Sequence, residues 1–557
     1  MILHFSYFNF WGHQPAYALR AQVFIPRLLG IIPYIILAEG VRRANSSWTP
    51  FAILLLSSAV WMSIFVFFRK KLIVWIRSKH VRFHSIIPDY VPIKNGAYPA
   101  KFIWIKQWRW IMFRIVVMIF FFLIFIFQPI KSAQFLGSSS VILLGFGSWL
   151  ILTALINMFE KFIRLPVSFT MLVLVVFFSY FNDNHAIRIL EDVPERKGLI
   201  DDFDSWISDK GDSTTVYLIA AEGGGIRSAY WTSSVLAELG KSHPEFRENT
   251  YAISSVSGGS LGTVLYESIA SHYSDSVRER SHEMLKADFL APVTAALVFP
   301  DLLQKFIPFP VIRFDRAKIL EYSWEESWEK TNDSKIDWSR GFLEQFAGAD
   351  MPAIFLNSTH VESGFRTIIS NVDLTELSND NIIDFFQVLN SDIPISTAIG
   401  LSARFPLLTP PATIKAANGE VWGHLVDGGY YENIGATTIM DVYSRLRRYC
   451  TRNNRKVNFK VIAIRNTKST DDYSPQRGMT EILPPLITLS HIWSHNGEEV
   501  LRKGGELLTQ YGDELIEIKL NRDDEENIPL GWYLSTQAQS SIQRQVIPQI
   551  LLIEDQL

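Results

Sequence analysis

Two turns within residues 216–262 of this 557-residue chain carry residue types that can do acyl chemistry. The segment VYLIAAEGGGIRSAYWTSSVLAELG reads as a strand, a turn at Gly223-Gly224-Gly225, and a helix. A second strand, YAISSV, then breaks at Ser255-Val256-Ser257-Gly258-Gly259 into another helix. A serine at such a break sits on a strained turn with its hydroxyl exposed, which is how a nucleophile elbow is built. Glycines at a neighbouring strand-to-helix turn leave backbone N–H groups bare for an anionic oxygen. Together the two turns point to acyl transfer through a serine.

Two serines compete for the role. The literal pattern G-x-S-x-G falls on Gly258-Gly259-Ser260-Leu261-Gly262 and nominates Ser260. Position favours Ser257: the strand ends at Val256, so Ser257 occupies the turn and Ser260 lies one turn into the helix. At Ser257 the positive helix N-terminus also stabilises developing negative charge. Ser255 stands where the elbow pattern usually has glycine. For the base, HLVDGGYYENIG delivers Asp427 from a short strand into a Gly428-Gly429 turn. The competing reading is a turn aspartate that only satisfies nearby backbone N–H groups. Arg227, two residues past the glycine triplet, is a candidate fork for a substrate phosphate or, equally, one arm of an ordinary salt bridge. A histidine triad is the rival to a Ser–Asp pair. His491 and His495 follow Asp427 four residues apart, His424 precedes it by three, and His360 is a further candidate. None of the four is expected to be essential.

These residues need a scaffold, and the flanking sequence supplies one. From residue 214 onward, short aliphatic runs alternate with helical patterns. Strands are expected at 216–220, 251–256, 353–358, 365–370, 423–426, 459–464 and 515–520. Helices between them predict a layered α/β domain over 214–557 with a largely parallel central sheet. A long helical insertion, 273–350, includes the apolar, proline-punctuated stretch 289–320, which suits either core packing or a lid or acyl groove facing a bilayer. Residues 182–213 are polar and charged and read as a linker.

Residues 1–181 differ in kind. They hold apolar runs at 51–68, 115–127, 141–159 and 165–181, with a weaker one at 23–38. Such runs read as an N-terminal all-α transmembrane region of four or five spans. Met1 to Gly12 lacks a basic lead and a cleavage site, so no removable signal peptide is expected. This region carries 18 Lys and Arg against 3 Asp and Glu; the remainder carries 35 against 53. Ten of the basic residues lie in 69–109, which places that loop in the cytoplasm by the positive-inside tendency. Three crossings after it would put the C-terminal domain on the outer side of a cell membrane; two would put it inside, and the short 165–181 run decides. The expectation leans to the outside. The single cysteine, Cys450, excludes an intrachain disulfide and a cysteine metal cluster.

GGGIR, SVSGG and DGG, in that order and at these separations, resemble the patatin-like phospholipases, among them the cytosolic phospholipases whose glycine loop also carries an arginine. STAIGLSARFPLLTPP (396–411), DRAKILEYSWE (315–325) and PLGWYLS (529–535) are similar to family sequence as well, so the resemblance covers about 214–552. It implies a three-layer α/β domain and a Ser–Asp dyad without a catalytic histidine. Ser257 would be the nucleophile, Asp427 the general base and Gly223, Gly224 and Gly225 the oxyanion loop. The implied reaction is hydrolysis of phospholipid or lysophospholipid esters through an acyl-enzyme, with no cofactor and no metal. The expected partners are a membrane lipid and the bilayer, with no nucleic acid. A lipid acyltransferase and an inactive sensor or scaffold on the same fold are the alternatives.

Overall fold

The computed structural model describes residues 100–557 apart from 164, 191–193, 209, 212–213, 274–275, 333–335, 349–350, 378–380, 406–407, 417–418, 467–482 and 522–527. It also describes positions 38, 50, 53–61, 63–64 and 68. The weak span 23–38, apart from its last residue, and most of the basic loop therefore lie outside the described residues. The chain divides into two compact units. One comprises Met1–Ile124 and Leu143–Tyr180, the other Phe125–Ile142 and Phe181–Leu557.

The first unit is helical where it is described. Helices α1 (Ala100–Phe127), α3 (Ser138–Ile163) and α4 (Val167–Phe178) contribute to it, while α2 (Pro129–Leu136) belongs to the second unit. Ser138–Asn157 is long and apolar enough to cross a membrane, and so is the pair Ile111–Phe127 and Pro129–Leu136 if its 117° bend is one broken span. By the same measure Val277–Gln304 qualifies, but 61% of its apolar window is buried inside the second unit. The expected span at 165–181 holds a helix of 12 residues. At 1.5 Å per residue it reaches about 18 Å, short of the roughly 30 Å hydrocarbon core.

The second unit is an α/β domain around one sheet in the order β5-β4-β3-β2-β1-β8-β9. Its strands are β1 (Thr214–Ala221), β2 (Thr250–Val256), β3 (Ala353–His360), β4 (Arg366–Ser370), β5 (Ile382–Asp384), β8 (Val457–Arg465) and β9 (Glu514–Lys519). Every pair on this path is parallel except β3–β4. Two further strands, β6 (Ala412–Lys415) and β7 (Val421–Asp427), form a hairpin that joins through β7 to β3. All seven expected strands are present; β5 and β6, three and four residues long, escaped the pattern reading because alternation needs more residues to show.

Alternation along β1 makes the layers. Tyr217 and Ile219 enter one apolar core, and Val216, Leu218 and Ala220 enter the other, as a period of two requires. The first core is covered by α6 (Gly225–Ser242), α7 (Gly258–Ala270), the insertion and α13 (Thr536–Leu551). The second is covered by α5 (Leu199–Ser208), α11 (Ala436–Arg452) and α12 (Leu483–Gln510). Within the insertion, α8 (Leu290–Ala296) and α9 (Arg316–Thr331) put Phe289, Val293, Leu320 and Trp324 into the first core.

The expected linker 182–213 is corrected. Asn182, Asn184 and Ile187 are buried, and α5 packs its Leu199, Phe203 and Ile207 into the second core. Arg188 holds this strap in place: Nε donates to Glu321 at 3.0 Å and to Thr397 at 3.1 Å, and Nη2 donates to Glu325 at 2.6 Å. Polar composition suggested solvent, but these polar groups are spent on partners inside the fold.

Candidate active site

β2 is buried along its whole length and ends at Val256. Ser257 follows with φ 53° and ψ −121°, a left-handed backbone that a side-chain-bearing residue rarely adopts. The surroundings hold it there. Its N–H donates to the Ser402 carbonyl at 3.2 Å and to the Ser402 hydroxyl at 3.1 Å. Ser402 ends α10 (Ile395–Ser402) and passes its own hydroxyl proton to the Asn357 carbonyl at 2.6 Å. Gly258 must be glycine, because a Cβ there would collide with the Gly225 carbonyl. Ser260 sits buried in α7 with its hydroxyl 2.8 Å from that of Ser402. The elbow is therefore at Ser257, and Ser260 supports it from below. The departure at Ser255 is accommodated: its hydroxyl is buried and makes no hydrogen bond among the described residues.

Asp427 reaches the same spot by strand register. β3 pairs with β2 up to Val256 opposite Asn357, then turns to β7 with Ser358 opposite Asp427. The last residue of β7 thus takes the place where β2 breaks into the elbow. Asp427 Oδ1 accepts the Gly429 N–H at 2.9 Å, and its own N–H donates to the Arg404 carbonyl at 3.3 Å. Oδ2 is buried with no hydrogen-bond partner of ordinary length among the described residues. Burial pushes the carboxyl up to about 6, against the Gly429 amide and the Ser257 hydroxyl, which both favour its charged form.

The glycine loop lies against this pair. A Cβ on Gly223 would sit 3.1 Å from the Ser257 Cβ. The Gly223 N–H is committed to the Asn433 carbonyl at 2.8 Å. Gly224 and Gly225, with φ of 155° and 60°, have amides for which no acceptor is found among the described residues. Asn466 braces the loop: its side-chain amide donates to the Gly223 carbonyl at 2.8 Å and its Oδ1 accepts from Arg227 Nε at 2.9 Å. Arg227 is fully buried and its Nη1 donates to the Ile528 carbonyl at 3.3 Å. The expectation of a phosphate fork is corrected, because a guanidinium so enclosed ties the loop to its neighbours.

No hydrogen bond joins a described histidine side chain to Ser257 or Asp427. His424 bonds Glu362 at 2.6 Å, His360 bonds Ser363 at 2.8 Å, and His495 is exposed; the side chain of His491 is outside the described residues. A cavity of about 860 Å³ is lined by Thr359, His360, Val426, Tyr430, Tyr431 and Glu432, with neither Ser257 nor Asp427 in its wall. Pattern reading missed Ser402, Asn357, Asn433 and Asn466. Asn466 had a signal, a polar residue directly after the buried strand β8, since groups at the carboxyl ends of parallel strands face the ligand crevice.

Residues 219–440 match the family model of the patatin-like phospholipases, and that span contains the glycine loop, the elbow and the DGG turn. They form a patatin-like phospholipase domain. The patatin-like family is one of lipid acyl hydrolases. Among solved structures, the crystal structure of VipD from Legionella pneumophila is similar to 61% of this chain and 67% of its own, at 10% identity and a TM-score of 0.27. No curated protein matches the chain. The patatin-like domain begins inside β1 and closes in α11, so Asn466 and the loop around Gly531 lie beyond it.

Proposed function

We propose that the chain is a membrane-anchored serine hydrolase of phospholipid or lysophospholipid esters, working through a Ser257–Asp427 dyad. The observation that carries this is the change of β3's partner from β2 to β7, which sets a buried carboxylate beside a strained serine. In the reaction, Asp427 takes the Ser257 hydroxyl proton as Oγ attacks the ester carbonyl. The oxyanion is held by the Gly224 and Gly225 amides and by that of Gly258 at the start of α7. Each such donor contributes about 3–4 kcal/mol to the transition state. The proton passes from Asp427 to the leaving alcohol, and water then attacks the acyl-serine with Asp427 again accepting a proton. The Gly223 amide, spent on Asn433, is left out of this set.

Anchoring and the outer side are part of this proposal. Phe125–Ile142 and Phe181–Leu557 belong to one unit. The basic loop 69–109 and the apolar α1 and α3 support a multipass anchor, and with that loop in the cytoplasm an odd number of crossings after it puts the hydrolase outside.

The decisive experiment is a fluorophosphonate probe on the full chain. Wild type should be labelled and should release fatty acid from phospholipid vesicles; Ser257→Ala should do neither. Labelling that survives Ser257→Ala and disappears in Ser260→Ala would overturn the assignment. Acyl groups recovered on a lipid acceptor instead of water would make the enzyme a transferase.

A further inference from the structure

The insertion that packs into the first core also carries an apolar tip that the core does not use. In LLQKFIPFPVIRF, residues 302–314, Leu302 is 41% exposed, Phe309 61% and Ile312 63%. The tip is held rigid. Gln304 donates to the Phe309 carbonyl at 2.7 Å and accepts the Val311 N–H at 3.0 Å. Asn182 donates to the Gln304 and Ile307 carbonyls at 3.0 Å each. Pro308 and Pro310 stiffen what remains. A loop so fixed cannot fold its phenylalanine and isoleucine away from water.

Other exposed apolar side chains of the same unit sit on segments bonded to this insertion. Phe135, 89% exposed, is on α2, where neighbouring Gln134 donates to the Asp288 carbonyl at 3.1 Å. Phe125, just before α2, stacks on Phe299 at 4.5 Å. Phe181 is exposed and precedes Asn182. The two walls of the active site are tied in as well. Phe289 N–H donates to the Trp532 carbonyl at 3.1 Å, and the adjoining Gly531 carbonyl accepts from Ile226 at the glycine loop at 2.8 Å. Arg316 donates to the Leu408 carbonyl at 2.7 Å, in the segment that follows Ser402 and Arg404. On these segments Leu530, Tyr533 and Phe405 are exposed as well.

We infer that residues 302–314 are the surface by which the catalytic unit rests on the bilayer, and that lipid enters toward Ser257 between Phe405 and Leu530. This rests on the proposed lipid hydrolysis for the entry path, but not for the contact. Lipid is the occupant because of charge and continuity. Lys305 and Arg313 flank the apolar tip, and Lys131 is exposed on α2, the pattern of aliphatic anchors with basic groups reaching to head groups. The apolar helix α1 ends in this same unit and α3 begins in it.

The test uses the full chain reconstituted in phosphatidylcholine–phosphatidylglycerol vesicles. A Cys450→Ser, Phe309→Cys protein carrying an environment-sensitive fluorophore should emit in the blue and be quenched by spin-labelled lipid. Phe309→Ser with Ile312→Ser should lower turnover of vesicle phospholipid at least tenfold. Turnover of a soluble short-chain ester and fluorophosphonate labelling should stay at wild-type levels. Water-like emission without quenching overturns the inference, and so does an equal loss on both substrates. A shift that follows protein concentration and ignores the lipid quencher assigns the tip to a second copy of the chain, and overturns it too. If wild type turns over neither substrate, the hydrolase reading fails, and the fluorescence alone decides the docking.

Discussion

At the scale of single residues, Asp427 concentrates the competing demands on this site. Its burial raises the carboxyl pKa to about 6, which suits a base at neutral pH. We expect kcat/KM to rise about tenfold per pH unit below 6 and to level off above it, read from the pH–rate profile. The same shift costs stability. Because the folded pKa lies above the ordinary 3.8, the folded state binds the proton more tightly than the unfolded chain. The stabilisation is complete below pH 3.8 and is lost as pH rises through 6, a loss on the order of 3 kcal/mol. Asp427→Asn should therefore abolish turnover while raising the melting temperature at pH 8, with little change at pH 4. Ser260→Ala removes one buried hydroxyl bond and should cost about 1 kcal/mol with fluorophosphonate labelling intact.

Among the elements, α10 connects the strap to Ser257. Its first turn carries Ser396 and Thr397, both bonded to Arg188, and its last residue, Ser402, fixes the Ser257 amide. Arg188 lies between two carboxylates, Glu321 and Glu325, and its guanidinium also covers the Tyr322 ring. Arg188→Met would take the cation from Glu325 and leave Glu321 with Arg404 at 3.7 Å, and removing one partner of a buried pair costs about 3–5 kcal/mol. Chemical unfolding should report that loss, together with a fall in kcat at unchanged KM as α10 loosens. Arg188→Lys should recover little, since an ammonium cannot make the forked set of bonds.

For the whole molecule, the two-unit division makes sidedness testable. Lys241 is exposed at the end of α6, 16 residues before Ser257. A Cys450→Ser, Lys241→Cys protein should react with a membrane-impermeant maleimide on intact cells. Reaction only after the cells are broken would place the hydrolase inside, with an even number of crossings after the basic loop. That outcome would leave the proposed dyad untouched, because nothing in the Ser257–Asp427 geometry depends on which side it faces.

The sequence by itself determined what local spacing can carry. A serine after a buried strand, paired glycines at two turns and aliphatic alternation gave the elbow, the glycine loop and seven strands, because each is set by residues a few positions apart. Tertiary structure decided the rest. Asp427 stands 170 residues from Ser257, and only the register of β3, shared first with β2 and then with β7, brings them together. The same long-range packing spends the Gly223 amide on Asn433, encloses Arg227, and turns a polar linker into a buried strap. Polar residues read as solvent-facing until their partners are known, and here those partners lie more than a hundred residues away.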